Sequence, residues 1–241
     1  MKLPPPRAPG VALWRQIGAD LERDIAAGTY PPGAQLPTET TLAQHFAVNR
    51  HTIRRALDEL SRAGLIRVEQ GRGSFVAEDV LDYTVGPRTR FSEWIRRHNM
   101  EPSGRMLALE ETASDLAVAT GLAVPMGAPV VRFRRLGLAD GRPVSLSDHF
   151  FPTHLRGIAA ALRAGDGITA ALAAVGVEDY RRHSSKVSAR LPTPEEADLL
   201  RIGTNQPLLT CENINVDRSG AVVEFCQGRY PTPRVQIIFE P

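Results

Sequence analysis

Apolar residues recur every three or four positions near the start of the chain and every second position in several later stretches. Leu13, Ile17, Leu21 and Ile25 stand four apart, which predicts a first helix with one buried stripe and Gly28 just past its end. The segment YPPGAQLP (30–37) reads as a rigid connector. Thr38 then caps a short second helix, with Glu39 in its first turn and Leu42, Ala43 and Phe46 inward. Ala47 and Val48 form a tight turn, and Asn49 caps a third helix that runs to Ala63 and stops at Gly64. LIRVEQGRGSFV (65–76) alternates around a Gly-Arg-Gly tip and predicts a small β-hairpin.

The rest reads as mixed α and β. PVVRFRRLGLADGRPVSLSDHFF predicts two strands around Asp140-Gly141, and PLLTCENINV and AVVEFCQGRY two more around Asp217 to Gly220. ITAALAAVG and PEEADLLRIG predict short helices, and TRFSEWIRRH one that starts at about Ser92. Hairpins dominate, so the expected fold class is α+β: a three-helix head with a hairpin, then a largely antiparallel sheet with helices on one side. The expected division is a disordered arm at 1–10, a head at 11–77, a linker at 78–91 and a second domain at 92–241.

Charge sharpens this picture locally. The chain of 241 residues has a formal net charge of only +2, yet residues 46–72 hold six Arg against three acidic residues. In the third helix Arg50, His51, Arg54 and Arg55 stand away from the apolar stripe of Ile53, Leu57 and Leu60. No acidic neighbour on that helix precedes Asp58, so these cations repel one another, and a phosphate backbone relieves the repulsion. A short helix, a tight turn and a basic helix is a helix-turn-helix whose second helix enters a major groove. Asn49 adds a helix N-terminus for phosphate. Arg67 and Arg72 extend the basic surface onto the hairpin, where Gly71 and Gly73 let the backbone approach a minor groove.

LPTETTLAQHFAVNRHTIRRALDELSRAGLIRVEQGRGSFV resembles the winged helix of the GntR family of bacterial repressors. The matching marks are Leu36-Pro37-x-Glu39, Leu42-Ala43, Val48-x-Arg50-x-Thr52-x-Arg54-x-Ala56-Leu57, Gly64-Leu65-Ile66 and Gly71-x-Gly73-x-Phe75-Val76. The resemblance implies that Arg50, His51, Thr52, Arg54 and Gly71 contact operator DNA. With their neighbours, the expected DNA-binding set is Thr38, Asn49, Arg50, His51, Thr52, Arg54, Arg55, Gln70, Gly71, Arg72 and Gly73. Thr40 departs from the pattern, standing where the family often has Arg or Ser. The layout of the second domain is similar to the effector (UTRA) domain of the HutC branch, a fold shared with chorismate lyase. NRHTIRRAL, RTRFS and DHFFP look most like regulators of phosphonate metabolism, the PhnF type. This implies a homodimer on a palindromic operator, controlled by a small effector that carries a phosphate or phosphonate.

The residues offer an anion site of their own. Thr89, Arg90, Phe91 and Ser92 stand at a helix start. Alternation puts Arg132 and Arg134 on one strand face, where they meet either a bound anion or carboxylates such as Asp148 across the hairpin. Ser185 shares an inward face with Val187 and Ala189. Glu224 stands between Val222 and Cys226, with Arg229 and Tyr230 closing the strand. The expected effector set is Thr89, Arg90, Phe91, Ser92, Arg132, Arg134, Ser185, Glu224, Arg229 and Tyr230. A sugar phosphate, fatty acid or urocanate-like acid suits the same arginines.

Other classes fall away. No apolar run has membrane-span length and MKLPPPRAPG has no signal-peptide core, so a cytoplasmic protein is expected. A chorismate-lyase-like enzyme is the remote alternative. No activated nucleophile or ligand-spaced histidines are apparent, so no enzyme, no metal and no cofactor is expected. With a four-residue turn at 217–220, Val216 pairs with Ala221, Cys211 faces Cys226 and Asn213 faces Glu224. The thiols read as small buried residues in a reducing compartment, with a redox switch as the minor alternative.

Overall fold

The structure, a computed structural model, describes residues 10–69, 71–77, 80–88, 90–165 and 167–239. Two units result, residues 1–79 and 80–241. The disordered arm expected at 1–10 lies, but for Gly10, outside the described residues, as do Gln70, Thr89 and positions 78 and 79 of the expected linker.

The first unit is built as its periodicity dictates. Helices α1 (Leu13–Ala26), α2 (Glu39–Phe46) and α3 (Arg50–Arg62) precede a hairpin of β1 (Ile66–Glu69) and β2 (Gly73–Val76). Ile17, Leu21, Leu42, Ile53, Leu57, Leu60, Ile66 and Val76 close one core. Burial of each such side chain contributes about 1.5–3 kcal/mol. The Thr38 hydroxyl accepts from Thr41 N and the Asn49 amide oxygen from Thr52 N, so both caps form. Ala47 is left-handed at φ 52° and its successor Val48 donates to Ala43 O, which makes the turn between α2 and α3.

The second unit has a six-stranded antiparallel sheet in the order β4-β5-β6-β9-β8-β7. Its strands are β4 (Pro102–Ala113), β5 (Pro129–Ala139), β6 (Arg142–Pro152), β7 (Tyr180–Arg190), β8 (Leu208–Asp217) and β9 (Val222–Pro231). Asp140 and Gly141, at φ 48° and 74°, make the tight turn between β5 and β6. A separate parallel pair joins β3 (Leu81–Thr84) to β10 (Val235–Ile238). Part of the expected linker is therefore a strand, anchored by buried Leu81 and by Tyr83, which stacks on Tyr230 at 5.1 Å.

Helices cover both faces of the sheet, where one covered face was expected. Strands β5 and β6 are apolar on both sides. Val131, Phe133 and Phe151 pack against α6 (Ile158–Ala164) and α7 (Ile168–Ala174). Ala139, Cys211 and Tyr230 meet α4 (Phe91–Arg97) on that same side. From the other side, Val130, Phe150 and Phe225 meet α5 (Leu116–Leu122), and Leu136, Leu146 and Leu208 meet α8 (Pro194–Leu200).

The β8–β9 register also differs from expectation. Val216 pairs with Val222 and, past a bulge, Asn215 with Glu224. Asp217 is the cause: its carboxylate accepts from Ser219 N and Ala221 N and its own N–H donates to Ala221 O, which draws Ala221 into the turn. Cys211 thus lies opposite Gly228, and Cys226 opposite Asn213. Beyond the bulge the slip is two residues, so from Glu224 on each side chain keeps its expected face while its partner changes; within the bulge Val222 turns to the α5 side and Val223 to the α6–α7 side. Both thiols are free and buried.

Candidate DNA interface and effector chamber

Arg50, His51, Arg54 and Arg55 are all exposed along α3, but they do not form one unpaired patch. Glu39 reaches across from α2. Its carboxylate accepts from Arg54 Nε at 3.2 Å, from Arg54 Nη2 at 3.0 Å and from Arg50 Nη2 at 3.3 Å. The Arg54 hydrogen bonds, aided by Arg50, hold the Glu39 carboxyl below its ordinary range against the opposing effect of burial. The expected mutual repulsion is therefore relieved from within the head, by a residue that helix-by-helix counting of charge misses. Arg55 turns the other way and lies 4.5 Å above the Trp14 ring of α1. Arg50, His51 and Arg54 remain on the exposed side of α3, beside Thr52, whose hydroxyl donates to Asn49.

On the wing, Gly71 and Gly73 have φ of 77° and 112°, and a Cβ on Gly73 would meet Gln35 Nε2 at 3.0 Å. Buried Glu69 accepts from Arg67 at 2.9 Å and from Arg72 at 2.9 Å. Gln35 donates to Arg72 O at 2.6 Å. The tip is thus fixed from below, with Arg72 still half exposed.

The expected effector residues divide between the two faces of the sheet. Arg132, Arg134 and Arg229 lie on the α8 face and are already paired. Asp148, 2% exposed, accepts from Arg132 Nε at 2.8 Å and from Arg229 Nη1 at 2.6 Å. Arg134 donates to Glu195 at 2.8 Å, and Glu196 holds both Arg190 and Arg229. These three arginines are members of an ion-pair network; of the two partners open to Arg132 and Arg134 in the sequence, the carboxylate is the one present, because the β5–β6 register sets Arg134 directly opposite Asp148.

The other face, under α4 and α7, holds the rest. Arg90, Phe91, Ser185, Glu224 and Tyr230 are there, joined by residues the sequence reading missed: Arg135, Ser147, His149, Arg182, Asn213 and Asn215. Asn213 Oδ1 accepts from Arg182 at 2.7 Å, from Ser185 Oγ at 2.7 Å and from Cys211 at 3.2 Å. Asn215 accepts from Arg182 Nε at 2.9 Å and donates to Glu224 at 2.6 Å. Glu224 Oε1 meets His149 Nδ1 at 2.5 Å, and His149 Nε2 meets Ser147 Oγ at 2.8 Å. Burial disfavours the charged form of Glu224, yet His149, Asn215 and Arg182 outweigh it and hold the carboxyl below its ordinary range. Ser92, second residue of α4, is half buried at the rim.

Three guanidinium groups on this face form no ion pair among the described residues. Arg90 lies 3.7 Å over the Tyr180 ring and donates to Tyr180 O. Arg182 is held by amides. Arg135 packs between the Phe91 ring at 5.1 Å and Gly104, where an added Cβ would meet its Nε at 2.4 Å. Burial alone pushes the Arg135 pKa down, and its one described acceptor is Ser103 O at 3.4 Å. The missed signal was in the sequence: alternation puts Asn213, Asn215 and Glu224 on one face of strands otherwise apolar there, and Arg135 on the face opposite to Arg134.

The bacterial regulatory protein gntR family model matches residues 13–76 and the UTRA domain model residues 97–236. The chain belongs to the GntR family. An uncharacterized HTH-type transcriptional regulator of Rhizobium meliloti is 36% identical over 97% of both chains. The probable transcriptional regulator PhnF of Escherichia coli is 32% identical over 84% of this chain and 83% of its own. The crystal structure of PhnF from Mycobacterium smegmatis, 24% identical, superposes with a TM-score of 0.63 over 93% of this chain and 98% of that one. That likeness shows the fold, a winged head followed by a UTRA domain. This GntR chain is thus a transcriptional regulator of the HutC type, and no helix among its described residues is long and apolar enough to cross a membrane.

Proposed function

We propose that this GntR regulator is a homodimeric repressor that binds a palindromic operator through α3 and the wing and releases it when a small phosphate- or phosphonate-bearing effector enters the chamber under α4. The DNA-contacting set is Thr38, Asn49, Arg50, His51, Thr52, Arg54, Gln70, Gly71, Arg72 and Gly73, with Arg55 serving the α1 packing. The effector set is Arg90, Phe91, Arg135, Arg182, Ser185 and Glu224. One observation carries the second half: Arg90, Arg135 and Arg182, on the α4 side of the sheet, form no ion pair within 4.0 Å among the described residues, whereas Arg132, Arg134 and Arg229 on the opposite side do. Arg90, Arg135 and Arg182 are half-buried, and an anion bound beside them offsets part of the cost of desolvating their charge. The relative in Escherichia coli named PhnF supports a phosphonate as the effector and phosphonate uptake or metabolism genes as the target.

A second reading keeps the DNA head and makes the effector a sugar phosphate. Asn213, Asn215, Ser185 and Glu224 favour it, since they form a row of donors and acceptors suited to hydroxyls. An anisotropy assay on an operator selected from random duplexes separates the two. Alkylphosphonates and sugar phosphates are added in turn at millimolar concentration. Release by one class and not the other assigns the effector, and release by neither rejects the anion-controlled reading.

A further inference from the structure

Register brings together three metal-ligating side chains that lie far apart in sequence. His149 on β6 is directly opposite Cys226 on β9, and Glu224, two residues along β9, points to the same face. Their donor atoms all lie within 4.8 Å of one another. We propose that His149, Glu224 and Cys226 form a binding site for one divalent late-transition ion of the zinc class, with the fourth position left to water or a small molecule. The inference does not depend on which effector the chamber takes.

The donor set is one imidazole nitrogen, one carboxylate oxygen and one sulfur. That mixture suits zinc and its neighbours and excludes calcium and magnesium, which take oxygen ligands. Three protein ligands with an open position is the arrangement of sites that also hold a small molecule. The outer partners are in place as well. Ser147 Oγ lies 2.8 Å from the second ring nitrogen of His149, and Asn215 donates to the second oxygen of Glu224 at 2.6 Å. Such contacts orient a ligating imidazole and carboxylate. Cys226 and Glu224 are buried, while His149 keeps a path to solvent with its side chain 13% exposed.

Without the ion, His149 and Glu224 hydrogen-bond at 2.5 Å. Ligands about 2.0–2.3 Å from a tetrahedral ion stand roughly 3.3–3.5 Å apart, so the donors, now 2.5 Å apart for His149 and Glu224 and within 4.8 Å overall, close around it with side-chain shifts of roughly 1 Å. Binding forms nitrogen, oxygen and sulfur bonds to the cation. It expels the thiol proton of Cys226 and the Nδ1 proton of His149 to solvent, and Glu224 enters as carboxylate. Affinity therefore rises with pH.

The test uses the full-length chain stripped with a chelator and titrated with Zn2+ by calorimetry, and separately with Co2+ by absorption. One ion per chain, tighter at pH 8 than at pH 6, and a thiolate-to-cobalt charge-transfer band are expected. Cys226→Ser removes the band, His149→Ala removes tight binding, and Ser147→Ala weakens it by roughly 10-fold. Cys211→Ser leaves the band intact. No tight ion in the wild-type chain, or a band that survives Cys226→Ser, overturns the inference. Anion-induced stabilisation of the metal-free chain is scored separately, so a failed metal site and a failed effector chamber give different results.

Discussion

The Glu39 carboxylate on α2 grips the Arg54 guanidinium on α3 with both oxygens, at 3.2 and 3.0 Å, and its second oxygen also reaches Arg50 at 3.3 Å. This clamp orients the two arginines and sets a negative charge beside the surface proposed to meet DNA. Glu39→Gln keeps the shape and removes the charge. It is expected to raise affinity for random duplex, steepen the salt dependence by up to about one charge and reduce the preference for operator. Anisotropy titrations against both duplexes at several salt concentrations measure this. An unchanged preference would show that the clamp plays no part in recognition.

Arg54 and Arg55 are adjacent in sequence and separate in role. Arg54→Ala is expected to lower operator affinity by roughly 5- to 150-fold if it reads a base edge. Arg55→Ala removes the stacking on Trp14 and is expected to destabilise the head by about 0.5–1 kcal/mol with a smaller effect on DNA. Thermal melts and anisotropy on the same pair of variants separate the two effects. Equal losses of operator affinity would place Arg55 back in the groove.

The ion-pair network on the α8 face makes a pH-dependent contribution to stability. Hydrogen bonds from Arg190, against the opposing effect of burial, bring the Glu196 pKa to about 2, aided by Thr193 and Arg229. The folded value lies below the unfolded one, so the contribution is complete above about pH 4.5, falls as the pH drops and is gone near pH 2. Glu196→Gln is expected to cost about 2 kcal/mol at pH 7, less than a fully buried pair because Arg190 is 42% exposed, and nothing near pH 2. Urea melts at both pH values check this, and a cost that persists at low pH would mean lost packing instead.

The head was legible because its signals are local. Thr38, Asn49 and Gly64 mark helix ends, and the i, i+4 stripes mark the core within a few residues of each other. The tight turn at Asp140-Gly141 fixed the β5–β6 pairing for the same reason. What escaped was set by contacts between distant segments. Glu39 neutralises α3 from another helix, so counting charge along α3 alone finds repulsion. Arg134 and Arg135 differ by one position and so by one sheet face; alternation left Arg134 a choice between an anion and Asp148, and the β5–β6 register sets it opposite Asp148. His149, Glu224 and Cys226 have no readable spacing, since strand pairing across some 75 residues makes them neighbours. In β8 and β9 the turn chemistry of Asp217 shifted the partners, exchanged the faces of Val222 and Val223 at the bulge, and left the faces from Glu224 on as alternation had set them.

The proposed effector anion sits on the Arg90, Arg135 and Arg182 side of the sheet, away from the Asp148 network. The most direct measurement is calorimetric titration of a bound phosphonate or sugar phosphate into the full-length chain and its Arg135→Met, Arg182→Met and Arg134→Met variants, each first shown to be folded. Loss of binding in the first two and its retention in the third is the predicted result. Binding that survives Arg135→Met and Arg182→Met but vanishes in Arg134→Met would put the effector on the opposite face and contradict the account.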